Sequence, residues 1–317
     1  MAPRAPVTAA IARAAVLGSP ITHSLSPALH TAGYRELGLT GWTYEAIECD
    51  EYSLAGFLDS RGPDWAGLSL TMPLKRAVLP LLDEADQLAS DVGAANTVLL
   101  REGRRLGYNT DVPGMVTALR QAGVTSGGNA LVLGGGATAC SALAALREMG
   151  AADVAVAVRS RQRAGPLREV AARLGLEVRL VDLDEYVGLT AEAGLDAAGQ
   201  VGVGSAATSA RTRQGRWRLL ISTIPAASAV AVARQVAGGA VHADGVFDVG
   251  YDPWPTALAE AARSAGLVVI SGYELLVNQA VEQFEMMTGR AAPAAVMRAA
   301  GLAELARRRN IHERAGA

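Results

Sequence analysis

The feature that most constrains the fold of this chain is an apolar run that ends in three consecutive glycines. Residues 130–133 are Ala, Leu, Val and Leu, the composition of a strand buried in a parallel sheet, and glycines occupy 134–136. The next segment, 137–149, has the composition of a helix. A strand, a glycine turn and a helix in this order predict a βα unit, the repeating element of a parallel sheet.

Segments typical of strands and helices alternate along the rest of the chain. Before the glycine turn we predict strands at 14–17, 42–47, 65–70, 96–100 and 105–108, and helices at 27–37 (with Ser26 as N-cap), 52–58, 75–82 and 112–121. After it we predict strands at 154–158, 177–181, 218–222, 245–249 and 267–270, and helices at 163–174, 183–193 and 273–289. A length of 317 residues suits two domains, so the predicted class is α/β with a doubly wound parallel sheet in the second part.

Charge and cysteine content argue against several classes of function. The formal net charge of −2 gives no basic field, so we expect no nucleic-acid partner. The two cysteines, Cys49 and Cys140, are far apart and the four histidines are scattered, so we expect no metal site. The thiols are expected to be buried and reduced.

The sequence also argues against a membrane location. The longest uncharged run, 127–146, has the length of a membrane-spanning helix, but three glycines in its middle indicate a strand, a turn and a helix. Residues 1–12 contain Pro3, Arg4 and Pro6 without a sustained apolar core, which predicts an extension rather than a signal peptide. We therefore expect no membrane partner and a cytoplasmic location.

The glycine turn carries a dinucleotide-binding pattern. Residues 134–139 match G-x-G-x-x-A between a strand and a helix, where glycines let backbone N–H groups approach a pyrophosphate. An NAD site usually has an acidic residue at the end of the next strand. Here that end is followed by Arg159, Ser160, Arg161 and Arg163. Arginine suits the 2′-phosphate of NADP, so NADP is the predicted cofactor.

The segment 67–75 (GLSLTMPLK) places polar groups where a predicted strand gives way to a helix. Pro73 cannot pair within a sheet and favours the start of a helix. Thr71 and Lys75 should therefore flank a strand-to-helix junction, a common place for reacting groups. On spacing alone, an ordinary surface lysine would also explain Lys75.

Hydroxyl, amide and carboxylate groups lie at the ends of three other apolar elements. They lie in the segments 24–27 (SLSP), 93–97 (GAANT) and 107–111 (GYNTD). Together with Thr71 and Lys75, these are the groups that a site for a polyhydroxylated acid needs.

With these motifs the chain resembles the shikimate dehydrogenase family, whose members interconvert 3-dehydroshikimate and shikimate with a nicotinamide cofactor. The resemblance extends from about Val16 to Gly289. It implies an N-terminal α/β substrate domain at 1–112, completed by C-terminal helices at 273–317, and a Rossmann-like NADP-binding domain at 113–272. The implied reaction belongs to the chorismate pathway of aromatic amino-acid biosynthesis.

The resemblance also implies roles for individual residues. Lys75 and Asp111 match the catalytic pair, in which Lys75 donates a proton and stabilises the alkoxide while Asp111 orients Lys75. Residues that match substrate contacts are Ser24, Ser26, Thr71, Asn96, Tyr251 and Gln279. Residues that match cofactor contacts are Gly134, Gly135, Gly136, Ala137, Thr138, Arg159, Ser160, Arg163, Thr223, Val249 and Gly272.

The chain departs from the family pattern at single positions. Ser69 stands where the family commonly has asparagine, Val158 where it has asparagine before the arginine, and Ala137 where it usually has glycine. Each departure alters one contact, and none removes a group that the implied reaction needs.

Two alternatives remain open at this point. A relative that prefers quinate or an amino-shikimate would differ at one or two side chains near Ser24, Thr71 and Tyr251. A catalytically silent, ligand-sensing relative is disfavoured by the presence of Lys75, Asp111 and the glycine turn. Shikimate or 3-dehydroshikimate is the expected small-molecule partner. The sequence does not settle the oligomeric state, and a homodimer is an open alternative.

Overall fold

The computed structural model describes residues 11–184, 186–187 and 216–315. The chain divides into two compact units. One consists of the chain up to Gly114 together with the chain from Leu276 onwards, and the other is Met115–Leu275. The first unit is therefore assembled from two separate stretches of sequence.

The described residues contain strands and helices in alternation. The strands are β1 (Ala12–Gly18), β2 (Trp42–Glu48), β3 (Trp65–Leu70), β4 (Glu84–Ala85), β5 (Thr97–Arg101), β6 (Arg104–Tyr108), β7 (Asn129–Leu133), β8 (Asp153–Val158), β9 (Val178–Asp182), β10 (Trp217–Ser222), β11 (Ala243–Asp248) and β12 (Val268–Ser271). The helices are α1 (Ser26–Glu36), α2 (Leu54–Asp59), α3 (Leu74–Ala77), α4 (Gln87–Val92), α5 (Asp111–Gln121), α6 (Ala137–Glu148), α7 (Gly165–Arg173), α8 (Ala226–Ala237), α9 (Ala257–Ser264), α10 (Gly272–Thr288) and α11 (Ala294–Ala315).

The first unit contains a mixed sheet in the order β2-β1-β3-β5-β6-β4. β1 pairs in parallel with β2 and β3, whereas β5 is antiparallel to both β3 and β6. Because β3 and β5 run in opposite directions, the end of β3 lies beside the start of β5, and Ser69 pairs with Thr97. This register brings the segment that leads to Lys75 next to the segment that contains Asn96.

The second unit contains a parallel sheet in the order β12-β11-β10-β7-β8-β9. β7, the first of these strands in the chain, has β8 on one side and β10 on the other, so the strand order reverses at β7. This is a Rossmann-like, doubly wound sheet, and the predicted fold class is confirmed. In such sheets ligands bind beyond the carboxyl ends of the strands, where the order reverses.

Aliphatic side chains form the core of each unit. In the first unit they include Leu17, Leu68 and Val98, and in the second Leu131 and Leu220, all buried. Successive residues of the central strands are buried, as in 130–133 and 219–221, so both faces of these strands are covered.

Two local predictions in the first unit are wrong. The sequence predicts one helix over 75–82, but α3 ends at Ala77 and a 3₁₀ turn, Leu79–Leu81, follows, because Pro80 has no N–H to continue the helical ladder. The sequence predicts Ser26 as the N-cap of α1, but Leu25 occupies that position and Ser26 is the first helical residue. Its hydroxyl lies near that of Tyr44 instead.

Helices α4, α8, α9 and α11 were not predicted individually. Two of them begin at side-chain caps: Asp86 and Thr256 accept from the N–H groups of Ala89 and Ala259. The predicted helix at 183–193 lies mostly outside the described residues. Within the part of the chain that the structure describes, no helix combines the length and apolarity that a membrane crossing requires.

Candidate active site

A salt bridge joins Lys75 and Asp111 in the first unit. Lys75 is the second residue of α3, which follows Pro73, and Asp111 is the first residue of α5. Lys75 Nζ lies 2.7 Å from Asp111 Oδ2, and the two side chains are 15% and 6% exposed. Lys75 is also the only lysine in the chain, since every other long basic side chain is arginine.

Asn96 holds the other oxygen of the Asp111 carboxylate. Asn96 Nδ2 donates to Asp111 Oδ1 at 2.9 Å, while Asn96 Oδ1 accepts from the backbone N–H of Thr110 at 2.8 Å. Because a backbone N–H can only donate, the orientation of the Asn96 amide is fixed. Both carboxylate oxygens of Asp111 therefore have a donor, and the carboxylate is held in one orientation towards Lys75.

Gln279, on α10, extends this group. Its side chain is buried, its Oε1 lies 3.4 Å from Asn96 Nδ2, and its Nε2 donates to the Leu276 carbonyl at 2.8 Å. Asn96 and Gln279 are 183 positions apart in the sequence. The fold thus brings Lys75, Asp111, Asn96 and Gln279 into one hydrogen-bonded group.

Ser24 and Ser26 lie at the start of α1. Ser24 Oγ accepts from the Ser26 N–H at 3.3 Å, and Ser26 is buried. The guanidinium of Arg308, on α11, donates to the carbonyls of His23 and Ser24 at 2.8 and 3.0 Å. Arg308 also donates to Glu304 at 2.8 Å. The serine segment, residues 23–26, is therefore anchored to α11.

The other two predicted substrate residues, Thr71 and Tyr251, lie at the ends of strands. Thr71 is half-buried and follows β3 in the first unit, whereas Tyr251 follows β11 in the second. The turn that carries Tyr251 is ordered by Asp248, which accepts from the Gly250 N–H at 3.2 Å and the Thr256 hydroxyl at 2.6 Å. Burial raises the pKa of Asp248.

In the second unit, the turn between β7 and α6 requires glycine at its first position. Gly134 has a φ of +114°, and a Cβ there would lie 2.5 Å from Thr223 Oγ1. Thr223 follows β10 and donates from both its N–H and its hydroxyl to the Leu133 carbonyl, at 2.9 and 2.8 Å. Because β7 and β10 are neighbours where the strand order reverses, Gly134 and Thr223 lie at the topological switch point.

The first turn of α6 faces solvent. Gly135 and Gly136 are exposed, and no side chain among the described residues caps the helix at Gly136. The first N–H groups of a helix, here at Ala137 and Thr138, have no acceptor within the helix itself. Such a helix N-terminus behind a glycine turn fits a pyrophosphate.

Basic residues follow the neighbouring strand, β8. Arg159 and Arg163 are exposed, and Ser160 is half-buried between them. A Cβ at Gly135 would lie 3.3 Å from Val158 Cγ1, so the glycine turn contacts the end of β8. No carboxylate lies between 158 and 163, so this end of the sheet offers positive charge to a phosphate.

Val249 and Gly272 lie at the same edge of the sheet. Val249 follows β11, and Gly272 begins α10 directly after β12. A Cβ at Gly272 would collide with the Val249 carbonyl, so glycine is required for this close approach. Together with Gly134 and Thr223, these residues line the carboxyl ends of neighbouring parallel strands.

Comparisons with known proteins place the chain in a family. A model of the shikimate dehydrogenase substrate binding domain matches residues 16–98, and one of the shikimate 5′-dehydrogenase C-terminal domain matches 272–300. A shikimate dehydrogenase (NADP(+)) of Thermus thermophilus is 36% identical over 277 residues, which cover 87% of this chain and 92% of that protein. The chain belongs to the shikimate dehydrogenase family.

Solved structures of shikimate dehydrogenases have the same fold. The crystal structure of Mycobacterium tuberculosis shikimate dehydrogenase is 39% identical, with a TM-score of 0.74, over 92% of this chain and 99% of that one. A Thermus thermophilus enzyme in complex with NADP(H) and shikimate is 32% identical, with a TM-score of 0.71, over 92% of this chain and 98% of that one. The predicted resemblance is confirmed.

Sequence reasoning missed three side chains around the site of this family member: Tyr44, Gln283 and Arg308. Tyr44 and Gln283 are buried and both bond Ser69, and Arg308 bonds the serine segment. For Gln283 a signal existed, because it lies four residues after Gln279 and therefore on the same face of α10. For Tyr44 and Arg308 the local sequence gives none.

The ring of His30, on α1, packs against the ring of Tyr44. The two rings stack with centroids 4.1 Å apart and planes inclined by 10°. Complete burial lowers the pKa of His30 to about 3, and neither ring nitrogen has a partner among the described residues. The ring is therefore neutral and packs as an aromatic surface. Also within the described residues, no group of three His, Cys, Asp or Glu side chains could hold a metal ion.

Proposed function

We propose that this protein catalyses the NADP-dependent, reversible reduction of 3-dehydroshikimate to shikimate. The observation that carries the proposal is the buried Lys75–Asp111–Asn96 group, found in a chain of the shikimate dehydrogenase family. The related Thermus thermophilus enzyme was crystallised with NADP(H) and shikimate, which supports the same two ligands here. The proposal assigns substrate binding to 1–112 with 273–317 and NADP binding to 113–272.

The residues of the chain handle the proton and the charge of this reaction. Bound NADPH supplies the hydride that is added to the carbonyl carbon. The Lys75 ammonium stabilises the oxygen as it becomes an alkoxide and then donates a proton to it. Asp111, held by Asn96, keeps the Lys75 amine in position through the 2.7 Å bond. In the oxidation of shikimate, the same amine accepts the hydroxyl proton.

Substrate recognition uses groups of complementary chemistry. The hydroxyls of Ser24 and Ser26 are donors for the substrate carboxylate. Asn96 and Gln279 provide amides for the ring hydroxyls, as Thr71 and Tyr251 provide hydroxyls. Shikimate carries one carboxylate and three hydroxyls, so this set of small polar groups suits it.

The residues of the second unit fit NADP. Gly134, with its φ of +114° and its contact to Thr223, allows a close backbone approach at the switch point. The first turn of α6 is a site for the pyrophosphate, and Arg159 with Arg163 for the 2′-phosphate. Thr223, Val249 and Gly272 lie where the ribose and nicotinamide would be held.

A spectrophotometric assay tests the proposal directly. The purified protein is given shikimate or quinate, each with NADP or NAD, and reduction of the nicotinamide is recorded. We expect the highest kcat/KM for shikimate with NADP. Faster turnover of quinate would assign the protein to the quinate branch of the family, and no turnover of either acid would support a ligand-sensing role.

A further inference from the structure

Gln283 is a completely buried glutamine that connects the strand ends around the site. It lies one turn beyond Gln279 on α10 and is 1% exposed. Its Oε1 accepts from Ser69 Oγ at 2.7 Å, and its Nε2 donates to the Asn96 carbonyl at 3.1 Å and to Thr97 Oγ1 at 3.0 Å. Gln283 therefore bonds the end of β3 and the start of β5, although it lies 187 positions after Asn96 in the sequence.

The orientation of the Gln283 amide is fixed by its surroundings. A backbone carbonyl can only accept, so Nε2 must face the Asn96 carbonyl and Oε1 must face Ser69. Every hydroxyl that is bonded to this amide must then point its proton in one direction.

On one side, a chain of hydroxyls links the serine segment to Gln283, and each hydroxyl donates towards Gln283. Since Oε1 accepts, Ser69 donates to Gln283, and Tyr44 donates to Ser69 at 2.6 Å. The Tyr44 oxygen is then left as an acceptor on the side of the nearby Ser26 hydroxyl. Ser26 is one of the residues predicted to hold the substrate carboxylate.

On the other side, the direction runs from Gln283 to the catalytic pair. Thr97 accepts from Nε2 and donates to Asn96 Oδ1 at 3.0 Å. Asn96 Oδ1 therefore accepts from the Thr97 hydroxyl as well as from the Thr110 N–H at 2.8 Å, while Asn96 Nδ2 donates to Asp111 at 2.9 Å. Asp111 in turn bonds Lys75.

We propose that Gln283 is a positioning residue that sets the direction of the hydroxyl chain ending at Ser26 and, through Thr97, reinforces the orientation of Asn96 in the chain ending at Lys75. Gln283 does not touch the reacting atoms, and it acts through Ser69 and Thr97. The inference rests on the proposed function, because it assigns the two chain ends to substrate binding and to proton transfer.

Kinetics of Gln283→Leu and of two variants that each break one chain test the proposal. Gln283→Leu leaves the buried partners of this side chain unsatisfied. KM for shikimate should therefore rise and kcat should fall, each by about fivefold to tenfold. KM for NADP, whose predicted contacts lie in the other unit, should stay within about twofold. Tyr44→Phe should mainly raise KM for shikimate, and Thr97→Val should mainly lower kcat. Gln235→Leu, a half-buried glutamine on α8, is the matched control and should change none of these constants.

Gln283→Glu tests the direction of the chains. It keeps the shape of the side chain but places a carboxylate oxygen against the Asn96 carbonyl. Burial raises the pKa of such a carboxyl group, and once protonated it can donate again. The ratio of kcat/KM in Gln283→Glu to kcat/KM in the unmutated protein should therefore rise towards one as the pH falls. A ratio that does not change with pH would contradict the assigned direction.

Other outcomes overturn the proposal in distinguishable ways. Unchanged kinetics in Gln283→Leu, or equal increases in both KM values with a lower melting temperature, would leave Gln283 with a general packing role.

If the unmutated protein does not turn over shikimate, the proposed function fails, and hydrogen exchange without substrate decides the inference. The Thr110 amide, which donates to Asn96 Oδ1, should exchange faster in Gln283→Leu, whereas Leu131 in β7 should not. An unchanged Thr110 rate would overturn it.

Discussion

The two units hold their predicted functional groups in different ways. In the first unit, Asp111 and Asn96 are buried, Lys75 is half-buried, and the three are joined by bonds of 2.7 and 2.9 Å. In the second unit, the predicted contacts are a glycine turn and exposed arginines such as Arg159 and Arg163. Residues that share a buried network respond to substitution as a unit, whereas separate exposed contacts contribute independently.

The difference follows from what each unit has to recognise. A proton transfer needs one amine in one position, so Lys75 is fixed by a carboxylate that is itself fixed. A phosphate presents several oxygens and a spread charge, so backbone N–H groups and flexible guanidinium groups bind it without a rigid frame. We therefore expect non-additive effects in the first unit and additive effects in the second.

The largest effect is expected at Lys75. Lys75→Ala removes the proposed proton donor and should lower the single-turnover rate by roughly 10²–10⁴-fold, while shikimate binding weakens much less. Asp111→Asn should also lower the rate, and the double variant should be little worse than Lys75→Ala.

Lys75→Arg is the matched control for this prediction. It keeps the positive charge but holds its proton at every assay pH, so it should retain substrate binding and lose most of the turnover. Near-normal turnover in Lys75→Ala would make Lys75 an ordinary lysine at the start of a helix. Rate losses that multiply in the double variant would show that the pair does not act as a unit.

A smaller and additive effect is expected at the arginines after β8. Losing a charge-assisted bond to the 2′-phosphate costs about 1.5–3 kcal/mol, so Arg159→Ala should raise KM for NADP about tenfold or more and barely change that for NAD. In the double variant of Arg159→Ala and Arg163→Ala, the factor by which KM for NADP rises should be the product of the two single factors. Arg168→Ala, an exposed arginine on α7, serves as the control. Equal use of NADP and NAD by the unmutated protein would contradict the cofactor assignment.

A still smaller effect is expected at Arg308, which lies outside the catalytic pair. Arg308→Ala removes two bonds to the carbonyls of His23 and Ser24, so KM for shikimate should rise by about threefold to tenfold with little change in kcat. The control is Arg307→Ala, because Arg307 also bonds Glu304, at 2.7 and 2.8 Å. If both variants raised KM equally, the cause would be Glu304 or α11 as a whole rather than the bonds to the serine segment.

The bonds of Glu304 should persist under assay conditions. Hydrogen bonds from Arg307, the first of several causes, lower the pKa of Glu304 to about 2. A lowered pKa means that the contribution of Glu304 is complete above its ordinary value of 4.5 and is lost only as the pH falls towards about 2. The comparison of Arg308 with Arg307 can therefore be made at neutral pH.

The smallest effect on activity is expected at His30, where the readout is stability. Burial lowers its pKa from 6.5 to about 3, so the unfolded chain binds a proton at pH values where the folded chain does not. The protein should lose stability as the pH falls from about 6.5 towards 3, and His30→Phe should reduce the drop in melting temperature over that range. His242→Gln, an exposed histidine, should leave the drop unchanged. An identical pH dependence in His30→Phe would mean that His30 is protonated in the folded protein.

Much of the architecture could be predicted from local patterns. Alternating strand and helix segments predicted the α/β class and the doubly wound parallel sheet of the second unit, and the glycine turn predicted its first βα unit. The boundaries of α3 could not be predicted, because Pro80 ends a helix that the apolar spacing would have continued. The sequence predicts Ser26 as a cap because serine often caps a helix, and only the fold shows that the Tyr44 hydroxyl lies near it.

The sequence by itself determined which chemical groups this protein has and which strand or helix end carries each of them. Lys75, Asp111 and the glycine turn are local features, since a strand, a proline or a glycine fixes the backbone around them. Only the tertiary structure decided which donor faces which acceptor. Ser69 and Gln283 are 214 positions apart, and they meet because α10 packs against the ends of β3 and β5. A hydrogen bond depends on the position of both partners to within a few tenths of an ångström, and local sequence preferences specify only one partner at a time.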